Sequence, residues 1–134
     1  MMGNRKILVV DDEQDMRIYI STIVETMGYE PVAAENGAQA VLSAEKTPPE
    51  LIILDIMMPK IEDGIGAYQR FKTDRQFSRI PIIVLSAIAQ KTFLHAIRVL
   101  GPQLGHPLSE PQAYVEKPPD ADELGRLIRN LLGP

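Results

Sequence analysis

Five short apolar runs, each followed by a stretch of helical periodicity, constrain this chain more than any other feature. Residues 6–10, KILVV, are apolar and β-rich after Lys6 and read as a buried strand. DDEQD follows, with acids suited to a helix N-terminus. Across 14–27, Met16, Ile20, Ile23, Val24 and Met27 form one helical stripe, and Gly28 stops it. Residues 29–34, YEPVAA, make a weaker strand. Pro31 lacks an N–H, which assigns that strand to a sheet edge. Asn36-Gly37 turns the chain into a helix over 38–46, ended by Pro48-Pro49. Residues 51–54 are a third strand, 65–73 a helix, and 80–86 a fourth strand with Pro81 near its start. A helix over 90–100 is ended by Gly101-Pro102. Residues 113–117, AYVEK, are a fifth strand. A last helix over 120–132 takes Asp120 as N-cap and carries Leu124, Leu127, Ile128 and Leu131 on one face.

Strands alternating with helices imply an α/β fold, a parallel sheet covered on both faces. The 134 residues suffice for one core, so the expectation is a single domain over 1–134, its core about 5–132. The chain has no cysteine, which excludes disulfides and thiolate metal sites. A net charge of −4 without a Lys/Arg run argues against direct nucleic-acid binding. No apolar run approaches a membrane span, and the acids behind the short apolar start do not suit a secretory signal. A cytoplasmic setting is expected.

In such folds ligands bind beyond the carboxyl ends of the strands, where strand order reverses. Those ends carry Asp11 and Asp12, then Asp55, Ser86 and Lys117. LIILDIMMP is notable, because a buried strand that ends on a carboxylate must compensate its charge. Each of these residues has a bland structural reading alone, as a cap, a loop start or a snorkelling lysine. All five at equivalent ends are harder to dismiss. Three carboxylates about 4 Å apart would repel by roughly 4 kcal/mol per pair at an effective dielectric of 20. Either one stays protonated or a cation sits among them. Oxygen ligands without His or Cys suit a hard ion such as Mg²⁺. Lys117 adds a second positive charge, and together these would suit a phosphoryl group.

LVVDDE, LIILDIMMP, IIVLSA and YVEKP together resemble the motifs of the receiver domain of two-component response regulators, over nearly the whole chain. The resemblance implies a doubly wound, flavodoxin-like (βα)5 fold with strand order 2-1-3-4-5. It implies that Asp55 is the phosphoacceptor, taking a phosphoryl group from a sensor histidine kinase or phosphotransfer protein. It implies Mg²⁺ held by Asp11, Asp12, Asp55 and the backbone carbonyl of Met57. Lys117 and Ser86 would contact the phosphoryl group, and Tyr114 would rotate inward as the switch acts on a downstream protein. Pro118 resembles the proline preceded by a cis peptide bond in this family. Catalysis would be limited to the domain's own phosphotransfer and dephosphorylation.

Two stretches depart from the family pattern. The Asp-Gly turn after MMP comes one residue late, in KIEDG, and is expected to reshape the loop after Asp55. Residues 101–112, GPQLGHPLSEPQ, are longer than the usual turn. Their prolines favour a packed loop beside the fourth helix, fifth strand and fifth helix, with Leu104 and Leu108 folded back. His95 and His106 are expected at the surface, and Met57 and Met58 to fill space. A haloacid-dehalogenase-type phosphatase would need an acid two residues beyond Asp55, where Met57 stands. A degenerate receiver lacking phosphorylation fits poorly, because the acids, Ser86 and Lys117 are all present. Neither a Walker-type loop nor a G-x-G-x-x-G follows the first strand, which sets aside a nucleotide-binding module.

Overall fold

The computed structural model describes residues 5–103, 105 and 107–133. Ten elements alternate: β1 (Lys6–Val10), α1 (Gln14–Thr26), β2 (Glu30–Ala34), α2 (Gly37–Lys46), β3 (Leu51–Leu54), α3 (Ile61–Thr73), β4 (Ile82–Ser86), α4 (Gln90–Gln103), β5 (Ala113–Glu116) and α5 (Ala121–Leu132). The strands form one parallel sheet in the order β2-β1-β3-β4-β5, the flavodoxin-like topology. β2 takes the edge, where Pro31 leaves no unmet ladder bond. The order reverses between β1 and β3, so their carboxyl ends border the crevice such folds use.

Two cores sandwich the sheet, and the pleat divides each strand between them. Ile52 and Leu54 of β3 join α2, α3 and α4 on one face. Leu51 and Ile53 join α1 and α5 on the other. Burial on both faces is why the inner strands read as continuous apolar runs rather than alternating ones.

Several sequence expectations shift. α3 starts at Ile61, not 65, with Glu62 and Asp63 in its first turn, where the helix dipole favours acids. Gly64 is therefore helical. It packs against the backbone after β3 so closely that a Cβ would stand 1.8 Å from the Ile56 carbonyl oxygen. The late Asp-Gly pair thus lies within the helix it was expected to precede. α4 continues through Gly101 and Pro102 to Gln103. Packing of Phe93, Ile97 and Gly101 on its buried face outweighs the bond that Pro102 cannot make in the last turn. β4 begins after Pro81, and β5 ends before Lys117. Asp120 stands at the N-cap of α5, but its side chain makes no capping bond. Met58 fills core space, whereas Met57 is 42% exposed.

The connection after α4 packs back beside that helix, as expected for Leu108, and reaches α3 as well. Its described contacts run toward α3 and α4: Leu108 is buried in the α2–α3–α4 core, and the Tyr68 hydroxyl of α3 donates to the Ser109 carbonyl at 2.6 Å. The buried side of α3 and α4 offers the apolar surface that Leu108 needs. The expectations for Leu104 and His106 fall on positions outside the described residues. His95 is exposed on α4.

Candidate functional site

Sheet register brings the strand-end residues together. Val10 is level with Leu54, so Asp11 and Asp55 emerge side by side, and the Asp55 N–H donates to the Val10 carbonyl at 2.9 Å. Ser86 is level with Glu116, and the Lys117 N–H donates to the Ser86 carbonyl at 2.8 Å. The turns that follow orient the acids. Asp11 Oδ1 accepts the Glu13 N–H at 2.9 Å, and Asp55 Oδ1 accepts the Met57 N–H at 3.2 Å. Arg17 reaches back from α1 to the Asp11 carbonyl at 2.8 Å and bolsters the same turn.

The remaining carboxylate oxygens converge on Lys117. Its Nζ lies 2.8 Å from Asp11 Oδ2, 3.0 Å from Glu13 Oε1 and 3.3 Å from Asp55 Oδ2. Asp11 and Asp55 are buried, while Asp12 is exposed at the rim. Burial pushes the Asp55 carboxyl up to about 6, reinforced by the charge of Asp11 and opposed by Lys117 and the Met57 N–H. For Lys117, burial pulls downward. Hydrogen bonding to Asp11 and Glu13, with the charges of Asp55 and Asp11, more than offsets it, so its pKa lies above the ordinary lysine value.

The residues present fit a hard cation. Asp11, Asp12 and Asp55 each offer an oxygen within 4.8 Å of the others. Asp11 Oδ2 is buried, and its partner among the described residues is the Lys117 ammonium at 2.8 Å, which Glu13 and Asp55 share. A buried carboxylate oxygen in that state calls for more positive charge than one shared ammonium provides. The donor set is all oxygen, as Mg²⁺ prefers.

Ser86 is buried, and its Oγ accepts the Ile88 N–H at 3.3 Å. Tyr114 is half-buried against the α2–α3–α4 core, and its hydroxyl donates to the Ile88 carbonyl. Burial, with the charges of Glu116 and Asp55, pushes that hydroxyl up to about 12, so it remains a donor. The inward-facing aromatic and the buried hydroxyl therefore meet at one loop. The peptide bond before Pro118 is cis, as is the one before Pro59.

The site holds one residue that the sequence reading did not recruit. Glu13, at the N-cap of α1, is the third carboxylate on Lys117. The signal was present as the third acid of DDE, but nothing local ties it to a lysine 104 positions away. The Met57 side chain and His95 take no part in the ion-pair cluster.

Residues 7–129 match the family model described as the response regulator receiver domain. The probable transcriptional regulator ycf27 of Pyropia yezoensis is 39% identical over 127 residues, covering 95% of this chain and 47% of that protein. The alkaline phosphatase synthesis transcriptional regulatory protein PhoP of Bacillus subtilis is 33% identical over 129 residues, covering 96% of this chain and 49% of that protein. This chain thus spans about half the length of these relatives. Among solved structures, the N-terminal domain of a response regulator receiver protein from Methanoculleus marisnigri is 30% identical. It has a TM-score of 0.64 and covers 96% of this chain and 97% of that one. The chemotaxis protein CheY4 of Vibrio cholerae superposes with a TM-score of 0.77 at 23% identity, over 96% of this chain and 99% of that one, a likeness of fold. No helix among the described residues is long and apolar enough to cross a membrane.

Proposed function

We propose, from the premise that this chain belongs to the response regulator receiver domain family, that Asp55 accepts a phosphoryl group and that the new charge drives a conformational switch. The observation that carries this reading is the placement of the Lys117 ammonium between Asp11 and Asp55, with Asp12 completing a trio of acids. The phosphoryl donor would be a phosphohistidine of a sensor kinase or phosphotransfer protein. The relatives named as transcriptional regulators are about twice as long, which supports control of an attached or separate output module.

Asp55 has to attack as the carboxylate. With its pKa near 6, it is mostly ionised at neutral pH. One carboxylate oxygen would form the new O–P bond as the P–N bond to the donor imidazole breaks, and the imidazole would take up a proton. Asp11, Asp12, Asp55 and the Met57 carbonyl would hold Mg²⁺, which when bound supplies positive charge to the phosphoryl oxygens. Lys117, already held at the site by Asp11, Glu13 and Asp55, would turn its ammonium toward those oxygens and stabilise their charge. The Ser86 hydroxyl, now accepting from Ile88, is free to donate to a phosphoryl oxygen. That bond would pull on the loop to which Tyr114 is tied, linking chemistry to shape.

The test is intact mass after incubation with acetyl phosphate and Mg²⁺. Wild type should gain one phosphoryl group, and Asp55→Asn should gain none. Equal labelling of the two would remove Asp55 as the acceptor.

A further inference from the structure

The connection from α4 to β5 is tied to the switch tyrosine by buried aromatic rings. Tyr114 lies against Phe93 of α4, ring centroids 5.5 Å apart. Phe93 meets Tyr68 of α3 edge to face at 5.1 Å. The Tyr68 hydroxyl then reaches the Ser109 carbonyl at 2.6 Å. Phe93 and Tyr68 are fully buried, so neither ring can move without its neighbours. A second tie runs in parallel. The Gln112 side-chain oxygen accepts the Ile82 N–H at 2.7 Å and the Lys72 ammonium at 3.2 Å, and Lys72 lies over the Tyr68 ring at 5.7 Å. Gln112 is also two residues ahead of Tyr114 on the same chain segment. Burial, with the charge of Glu110, raises the Tyr68 pKa well above the ordinary value, so its hydroxyl stays a donor.

We propose that Pro107–Gln112 is a second segment whose conformation is set by the switch. Movement of Tyr114 passes through Phe93 to Tyr68 and changes its hold on Ser109, so that the segment differs between the two states. The inference rests on the phosphoacceptor reading above. It extends that reading from the β4–α4 loop to the opposite end of the sheet, on the α3 side. Coupling of this kind needs a packed element with two arrangements, and the ring chain provides one that is continuous from Ile88 to Ser109. The Tyr68 bond is the point where the chain can be cut with little loss of packing, because Tyr68→Phe removes only the hydroxyl.

The experiment is amide hydrogen exchange on the full chain, with and without Mg²⁺ and beryllofluoride as the phosphoryl mimic. The proteins compared are wild type, Tyr68→Phe and Phe93→Leu. In wild type, peptides covering 86–90 and 107–112 should both change protection when the mimic is added. In Tyr68→Phe the 86–90 response should persist while the 107–112 response collapses. Basal exchange near Ser109 should run about five-fold faster in that variant, as expected for one lost hydrogen bond. Phe93→Leu keeps the hydroxyl but interrupts the rings, and should also lose the distant response. A full-size 107–112 response in both variants would overturn the relay. So would a wild-type response confined to 86–90. No response at either segment would overturn the phosphoacceptor reading, and this inference with it.

Discussion

The Lys117 ammonium leans on Asp11 more closely than on Asp55, at 2.8 Å against 3.3 Å. The lysine and a metal ion would therefore draw on the same Asp11 charge. Lys117→Ala should bind Mg²⁺ as tightly as wild type or several-fold tighter, as read by calorimetry. Phosphorylation by acetyl phosphate should slow by at least about ten-fold, the loss of one preorganised charge. Without Mg²⁺ the variant should lose about 3 kcal/mol of stability, because a buried acid pair is left uncompensated. Saturating Mg²⁺ should restore much of that. Unchanged phosphorylation kinetics would remove Lys117 from the chemistry.

Asp55 carries a pH signature. Its folded pKa is raised to about 6 by burial and by Asp11, above the unfolded carboxylate value. A raised pKa means that this group's contribution to stability is full below the unfolded value and is lost as pH rises through about 6. The shift of about two units corresponds to an upper limit of about 3 kcal/mol. Asp55→Asn should accordingly be the more stable protein at pH 7.5 without metal, by about 1–3 kcal/mol. The difference should shrink as pH falls through about 6 and vanish near 4. Urea unfolding across that range, in chelator, reads it directly, and a gap that widens toward acid would contradict the assignment.

The phosphorylated state should be long-lived. Met57 and Ile88, two positions beyond Asp55 and Ser86, are both apolar. Neither can orient an attacking water by hydrogen bonding, the role a general base would play. The expected half-life without a phosphatase is minutes or more, measured by acid quench and chromatography. Met57→Asn should shorten it. Loss of the phosphorylated species within seconds in wild type would count against water exclusion.

Two glycines two residues apart should respond oppositely. Gly64→Ala would drive a Cβ to 1.8 Å from the Ile56 carbonyl oxygen, so the backbone beside Asp55 must move. A loss of about 3 kcal/mol or more is expected, along with weakened Mg²⁺ binding. At Gly66 nothing lies within 4 Å of the added carbon. Gly66→Ala should instead stabilise by up to about 1 kcal/mol, because alanine is the better helix former. Equal midpoints for the two variants in denaturant would refute the close approach.

The sequence by itself determined the alternating elements, the parallel sheet, the edge position of the strand bearing Pro31, and the acids, serine and lysine at the strand ends. Those signals are local: apolar periodicity over a few residues, a missing N–H, a charge directly behind a buried run. Only the tertiary structure decided what each side chain meets. Glu13 on Lys117, Gly64 against Ile56, and Tyr68 on Ser109 join positions far apart in sequence or on different elements. The early start of α3 and the run of α4 through Pro102 were likewise decided by packing. The physical reason is that periodicity reports which face of an element is buried, while register and close packing choose the partner that covers it, and those are properties of the assembled sheet and its helices.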